Sequence, residues 1–145
     1  YRNPSAIVII GYYEKESVWV VVDEWKKSKV TIDDIAEQLK KFTKKYKLIR
    51  IFCDPAEKME IEFLRKQGLP VWSAKNDVLE GIFAIKRMFE NGSLVISQFA
   101  RFILHELSMY SWDEDKEKPI KHNDHLMDAL RYAIMGVQRK PVLVY

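Results

Sequence analysis

The sequence predicts an α/β domain built on a mixed sheet with helices on its faces. Three observations lead there. Two β-branched runs stand at the front, separated only by a short charged segment. Behind them, short apolar runs alternate with segments of helical periodicity. The punctuation between elements is that of helix caps and turns. With 145 residues the chain suits one domain, long enough to bury a sizeable core.

The runs at residues 5–13 and 17–25, rich in Ile and Val, read as the arms of an antiparallel hairpin around Glu14-Lys15-Glu16. Thr31 opens a helix with Asp34 three residues later. Ile32, Ile35, Ala36, Leu39, Phe42 and Tyr46 then recur at helical spacing. A short strand follows at residues 48–53. Residues 55–67 read as a second helix, with Asp54 as N-cap, Pro55 at its first position, Glu57 completing a capping box and Gly68 ending it. A brief strand at 70–73 precedes a third helix, capped by Asp77 with Glu80 and stopped by Asn91-Gly92. Another strand is expected at 93–96, then a helix capped by Ser97 and running to Tyr110. Residues 111–122 are highly charged and read as a surface loop or small hairpin. The last helix is expected over about residues 123–138, before a short apolar tail.

Bulk properties narrow the possible functions. The chain is 48% hydrophobic and 31% charged, which describes a folded domain and not a disordered one. Its formal net charge of +3 is compatible with nucleic acid without arguing for it. The single cysteine, Cys53, excludes an internal disulfide and points to a reducing compartment. No apolar run is long enough to span a bilayer, and nothing reads as a secretion signal. Phosphate-cradling glycine loops and the G-x-S-x-G nucleophile pattern are absent, and one Cys with three His gives no zinc constellation. The chain opens at Tyr1 almost directly into a strand, and is read as part of a longer polypeptide.

The last helix carries the most chemistry. In Asn123-Asp124-His125-Leu126-Met127-Asp128-Ala129-Leu130-Arg131-Tyr132, helical spacing stacks Asp124, Asp128 and Arg131 on one strip with His125 beside them. Leu126, Leu130, Ala133 and Val137 form an apolar face, extended by Met127 and Ile134. Carboxylates four residues apart repel each other, so the strip gains from a bound cation. Asp54 stands at the carboxyl end of a strand, where α/β sheets gather ligands. Three hard oxygen donors, Asp54, Asp124 and Asp128, suit Mg²⁺ or Mn²⁺.

Each of these residues also has a plainer reading. Asp54 serves as a helix cap, and Asp124 complements a helix dipole. Asp128, a turn inside the helix, is a solvated residue or an ion-pair partner of Arg131 or His125. His125 is an exposed residue, a metal ligand or a general base held by Asp128. Lys40, Lys41, Lys44, Lys45 and Lys47 read as a solvated helix end. Lys75, and Lys118, Lys121 and His122, are better placed to meet a phosphate.

The order of elements and the acid positions resemble the C-terminal nuclease domain of tailed-phage large terminases, which has a ribonuclease H-like fold. The resemblance covers nearly the whole chain. It runs through Phe52 to Glu57, Gly68-Leu69-Pro70-Val71-Trp72 with Ala74-Lys75, Glu80-Gly81-Ile82, Asn91-Gly92, and Glu106 with Tyr110 and Trp112. The stretch from Asn123 to Tyr132 is its most specific part.

The resemblance implies a metal-dependent endonuclease that cuts concatemeric viral double-stranded DNA during genome packaging, using two Mg²⁺ or Mn²⁺ ions. Asp54 matches the second carboxylate of that family's site and Asp128 its last-helix ligand, with His125 and Asp124 at auxiliary positions. Lys75 and Lys121 are the candidate phosphate contacts. The implied partners are a packaging ATPase domain of the same polypeptide, the portal and the small terminase subunit, in the cytoplasm of a bacterial host and with no membrane. The family's first carboxylate lies on a strand just upstream of a segment like Tyr1 to Ala6, and Asp23 does not match it. That strand is expected in the longer polypeptide. Competing readings are another ribonuclease H-like nuclease, such as a resolvase or transposase core, and a catalytically silent DNA-binding or portal-docking module.

Overall fold

A computed structural model describes residues 4–110 and 124–138. The hairpin forms as expected. Strand β1 (Ser5–Tyr13) pairs antiparallel with β2 (Val18–Lys27), and a register irregularity between Ile9 and Ile10 lets the arms twist. Helix α1 (Ile32–Tyr46) begins at a complete capping box. Asp34 N–H donates to Thr31 Oγ1 at 3.2 Å, and Thr31 N–H donates to Asp34 Oδ2 at 2.9 Å. It ends where Lys47 turns left-handed.

The next elements are β3 (Ile51–Cys53), α2 (Lys58–Lys66), β4 (Val71–Ser73), α3 (Val78–Glu90), β5 (Leu94–Ile96), α4 (Arg101–Ser108) and α5 (His125–Gln138). Two expected helix starts are displaced. Asp54 does not cap α2. Its Oδ1 accepts from Ala56 N–H at 2.9 Å, and Glu57 N–H closes a turn onto Asp54 O at 3.0 Å. This tight turn uses up residues 54–57 and delays the helix to Lys58, and the N-cap residue Glu57 makes no capping side-chain hydrogen bond. Ser97 likewise spends its hydroxyl and carbonyl on a turn, accepting from Phe99 and Ala100 N–H, so α4 starts at Arg101. Asp77 caps α3 as expected.

The sheet is mixed, but it comes in two pieces. One has the order β1-β2-β5, with β5 parallel to β2; the other is the parallel pair β3-β4. No ladder joins β1 to β3, so among the described residues each presents an unpaired edge. Two cores correspond to the two pieces. Val21, Ile85, Leu94, Ile103, Leu126, Leu130 and Ile134 unite α3, α4 and α5 on the larger sheet. Ala36, Leu39, Ile61, Leu64 and Val71 unite α1 and α2 on the smaller one. Between them lies a cavity of about 1210 Å³, walled by β1 on one side and β3 on the other, with α1 and α5 contributing side chains. Among the described residues no helix is long and apolar enough to cross a membrane.

Candidate metal-dependent nuclease site

The cavity between the two sheet pieces brings together three of the expected site residues. Asp54 enters from the end of β3, and His125 and Asp128 from the first turns of α5. Asp124 precedes the helix and is only 7% exposed. Its carbonyl accepts Asp128 N–H at 2.8 Å, so it begins the helical ladder. Lys75 forms an exposed ion pair with Glu80 at 3.1 Å. Lys121, Lys118, His122 and the loop at 111–122 lie outside the described residues, as does the apolar tail.

α5 differs from the expected two-faced helix. Leu126, Met127, Leu130, Ile134 and Met135 are buried, but Ala133 and Val137 line the cavity beside Asp128. Arg131, expected on a polar strip, is 3% exposed. Its guanidinium donates to Asn76 Oδ1 at 2.8 Å, lies 3.4 Å from Asp128 Oδ1 and stacks over the Tyr132 ring at 4.8 Å. Burial is tolerable because these partners replace its water. Gly81 makes it possible: a Cβ there would stand 2.4 Å from Arg131 Cγ.

A second glycine seats the helix against the strand that carries Asp54. A Cβ on Gly136 would meet three atoms of the Phe52 ring at 2.4–2.6 Å. Phe52 lies two residues before Asp54, so this contact sets how near β3 comes to α5. Sequence reasoning missed it, because a glycine inside a helical pattern gives no hint of its neighbour.

The electrostatics are those of crowded acids. Burial pushes the Glu57 carboxyl up, helped by Glu60 and Asp54. Burial raises the Tyr132 hydroxyl to about 12, reinforced by the Asp54 charge, and raises Tyr110 to about 12 with help from Asp128 and Asp124. Cys53, half-buried beside Asp54, is pushed up to about 11 by burial and by the charges of Asp54, Glu57 and Glu60, so it stays a thiol at neutral pH. Local negative charge of this kind favours a cation. Yet among the described residues no three His, Cys, Asp or Glu side chains come close enough together to hold a metal ion. Asp54 and Asp128 present their carboxylates from two walls of the cavity.

A family model for the terminase RNaseH-like domain matches residues 2–136. The chain belongs to that family. It is 30% identical to the large terminase subunit of Escherichia phage T5, covering 96% of this chain and 34% of that protein. The chain therefore spans about a third of the length of this curated relative. The large terminase of a thermophilic bacteriophage, solved in complex with ADP, superimposes with a TM-score of 0.85 at 30% identity, over 96% of this chain and 38% of that one. The large terminase nuclease domain from bacteriophage SPP1, solved with bound Mn, superimposes with a TM-score of 0.76 at 23% identity, over 95% and 81% of the two chains. That likeness shows the fold, and it is the ribonuclease H-like terminase nuclease fold expected from the sequence.

Proposed function

We propose that this terminase domain is a divalent-metal-dependent endonuclease that cuts concatemeric double-stranded DNA during viral genome packaging. The observation that carries the reading is the placement of Asp54 and Asp128 on two walls of one cavity, with His125 beside them. Asp54 and Asp128 would hold the metal, with Asp124 supporting them from the start of α5. Two divalent ions would supply activation of water and stabilisation of the leaving oxygen in phosphodiester hydrolysis. His125 would orient the attacking water or accept a proton from it. Arg131 holds Asp128 from behind and links it to the β4–α3 loop through Asn76.

A further ligand would come from outside the described residues. The unpaired edges of β1 and β3 flank the cavity, and a strand inserted there would complete one continuous sheet. A carboxylate on such a strand, from upstream in the longer polypeptide, would be delivered beside Asp54. Lys75, released from its exposed pair with Glu80, and Lys121 would contact backbone phosphates, making binding salt-dependent and largely sequence-blind. The Mn-bound SPP1 domain and the ADP complex of the thermophilic phage protein support divalent ions and an ATPase domain in the same polypeptide. The portal and the small terminase subunit are the assembly partners of this reading, in the host cytoplasm.

Plasmid nicking in Mn²⁺ by the complete large subunit tests it. Supercoiled DNA should be converted to nicked and linear forms, and Asp128→Asn should abolish conversion without altering the thermal midpoint by more than a few degrees. A complete subunit that binds DNA but never cuts it would make the domain a silent DNA-binding module.

A further inference from the structure

The first turn of α5 is held from outside its own segment. Helix starts leave N–H groups without intrahelical partners. Here Leu126 and Met127 donate theirs to Glu106 Oε1 on α4, at 3.0 and 3.1 Å, and Glu106 Oε2 lies 3.2 Å from the Leu126 nitrogen. Glu106 is only 4% exposed. A carboxylate so far from water is stable only when paired and fully hydrogen-bonded. The positive end of the α5 dipole meets one oxygen, and Lys26 Nζ meets the other at 2.8 Å.

Lys26 belongs to β2, so the ion pair fastens the sheet to α4 and, through Glu106, to α5. Glu24, two residues earlier and on the same face of that strand, treats α4 in the same way. Its two oxygens accept from Phe102 and Ile103 N–H at 2.8 Å, where Ala100 offers no capping side chain. One face of β2 thus sets α4, and α4 sets the start of α5.

We propose that Glu106 is a positioning residue for the nuclease site, fixing where the carboxylates at the start of α5 point relative to Asp54. This rests on the nuclease reading above. Glu106 lines no part of the cavity, and it acts through the backbone of Leu126 and Met127, which stand between Asp124 and Asp128 in sequence.

The test uses the complete large subunit and three variants, Glu106→Ala, Glu106→Gln and Lys26→Met. Hydrogen exchange, Mn²⁺ binding by electron paramagnetic resonance, and DNA cleavage are measured on each. Glu106→Ala should exchange the amides of residues 126–128 faster, while the amides of α1 stay protected. Its Mn²⁺ affinity should fall by about tenfold, as for other lost supports of metal ligands. Glu106→Gln keeps an acceptor oxygen and should recover part of that affinity, and Lys26→Met should resemble it. Should Glu106→Ala fail to fold, the other two decide: affinity several-fold below the parent upholds the proposal, and parental affinity overturns it. A folded Glu106→Ala with parental exchange and Mn²⁺ affinity also overturns it. If the parent subunit itself neither binds Mn²⁺ nor cuts, the nuclease reading fails. Exchange at residues 126–128 then decides the anchoring alone, for it if faster and against it if unchanged.

Discussion

Helices α1 and α5 are nearly equal in length, 15 and 14 residues, and they are placed by opposite means. α1 carries its own instructions. Its capping box lies within four consecutive residues and its end is a left-handed Lys47, while three buried side chains and the bond from the Tyr46 hydroxyl to Asp23 at 2.6 Å dock it. α5 depends on distant parts of the molecule. Glu106 holds its first turn, Gly81 makes room for Arg131, and Gly136 lets the Phe52 ring lie against it. A helix that only covers a sheet tolerates small errors in placement. A helix proposed to join a metal site across a cavity needs several independent constraints.

The contrast can be broken at either end. The largest effect is expected on α5. Glu106→Ala leaves Lys26 without its carboxylate and two helix N–H groups without an acceptor, a loss of about 3 kcal/mol in urea unfolding. A loss below about 1 kcal/mol would mean that the first turn of α5 caps itself. Next comes Gly136→Ala. Alanine should favour a helix interior by about 1 kcal/mol. The overlap with Phe52 should reverse that, giving a net loss of about 2 kcal/mol and weaker cleavage. A stabilised variant would show that Phe52 has room to swing aside.

Smaller effects belong to α1. Thr31→Ala removes one local cap and should lower stability by about 1 kcal/mol, with cleavage unchanged. The smallest effect is a pH dependence. Hydrogen bonds from the Thr31 backbone and side chain hold the Asp34 carboxyl below its ordinary 3.8. A depressed carboxyl contributes stability that is present above pH 3.8 and is lost as the pH falls through its folded value. Fluorescence-monitored unfolding between pH 5 and 2 should therefore show a shallower acid loss in Thr31→Ala than in the parent.

The same contrast explains what was legible in the sequence. The hairpin, α1 and the Asp77 start of α3 were readable because their signals are local: β-branched runs, a capping box, helical spacing. Asp54 and Ser97 misled because each can cap a helix or close a turn, and the same residues serve both. The division of the sheet rests on the lack of a ladder between β1 and β3 among the described residues, which no single segment records. Asp54, His125 and Asp128 line one cavity, and the two carboxylates stand out in the sequence as acids at a strand end and on a helix strip. Glu106 was visible only as part of a family-like stretch, and its role rests on contacts twenty residues away. Lys26 and Glu24 give no signal, since a charged residue late in a strand is ordinary, and Phe52 stands in a family-like stretch that says nothing of its contact with Gly136.

The packing of α5 also has a consequence for the order of folding. The elements it packs against most, β1, β3, α3 and α4, precede it in the chain. Its contacts with β1 span more than a hundred residues, and contacts so far apart in sequence close late and slowly. Asp54 therefore waits for its partner across the cavity until the last described helix has been made and docked. The hairpin and α1 can gather earlier, from neighbours close at hand. Under the proposed function, the carboxylates come to face each other only after α5 has docked, so a chain with α5 undocked should have no competence to cut.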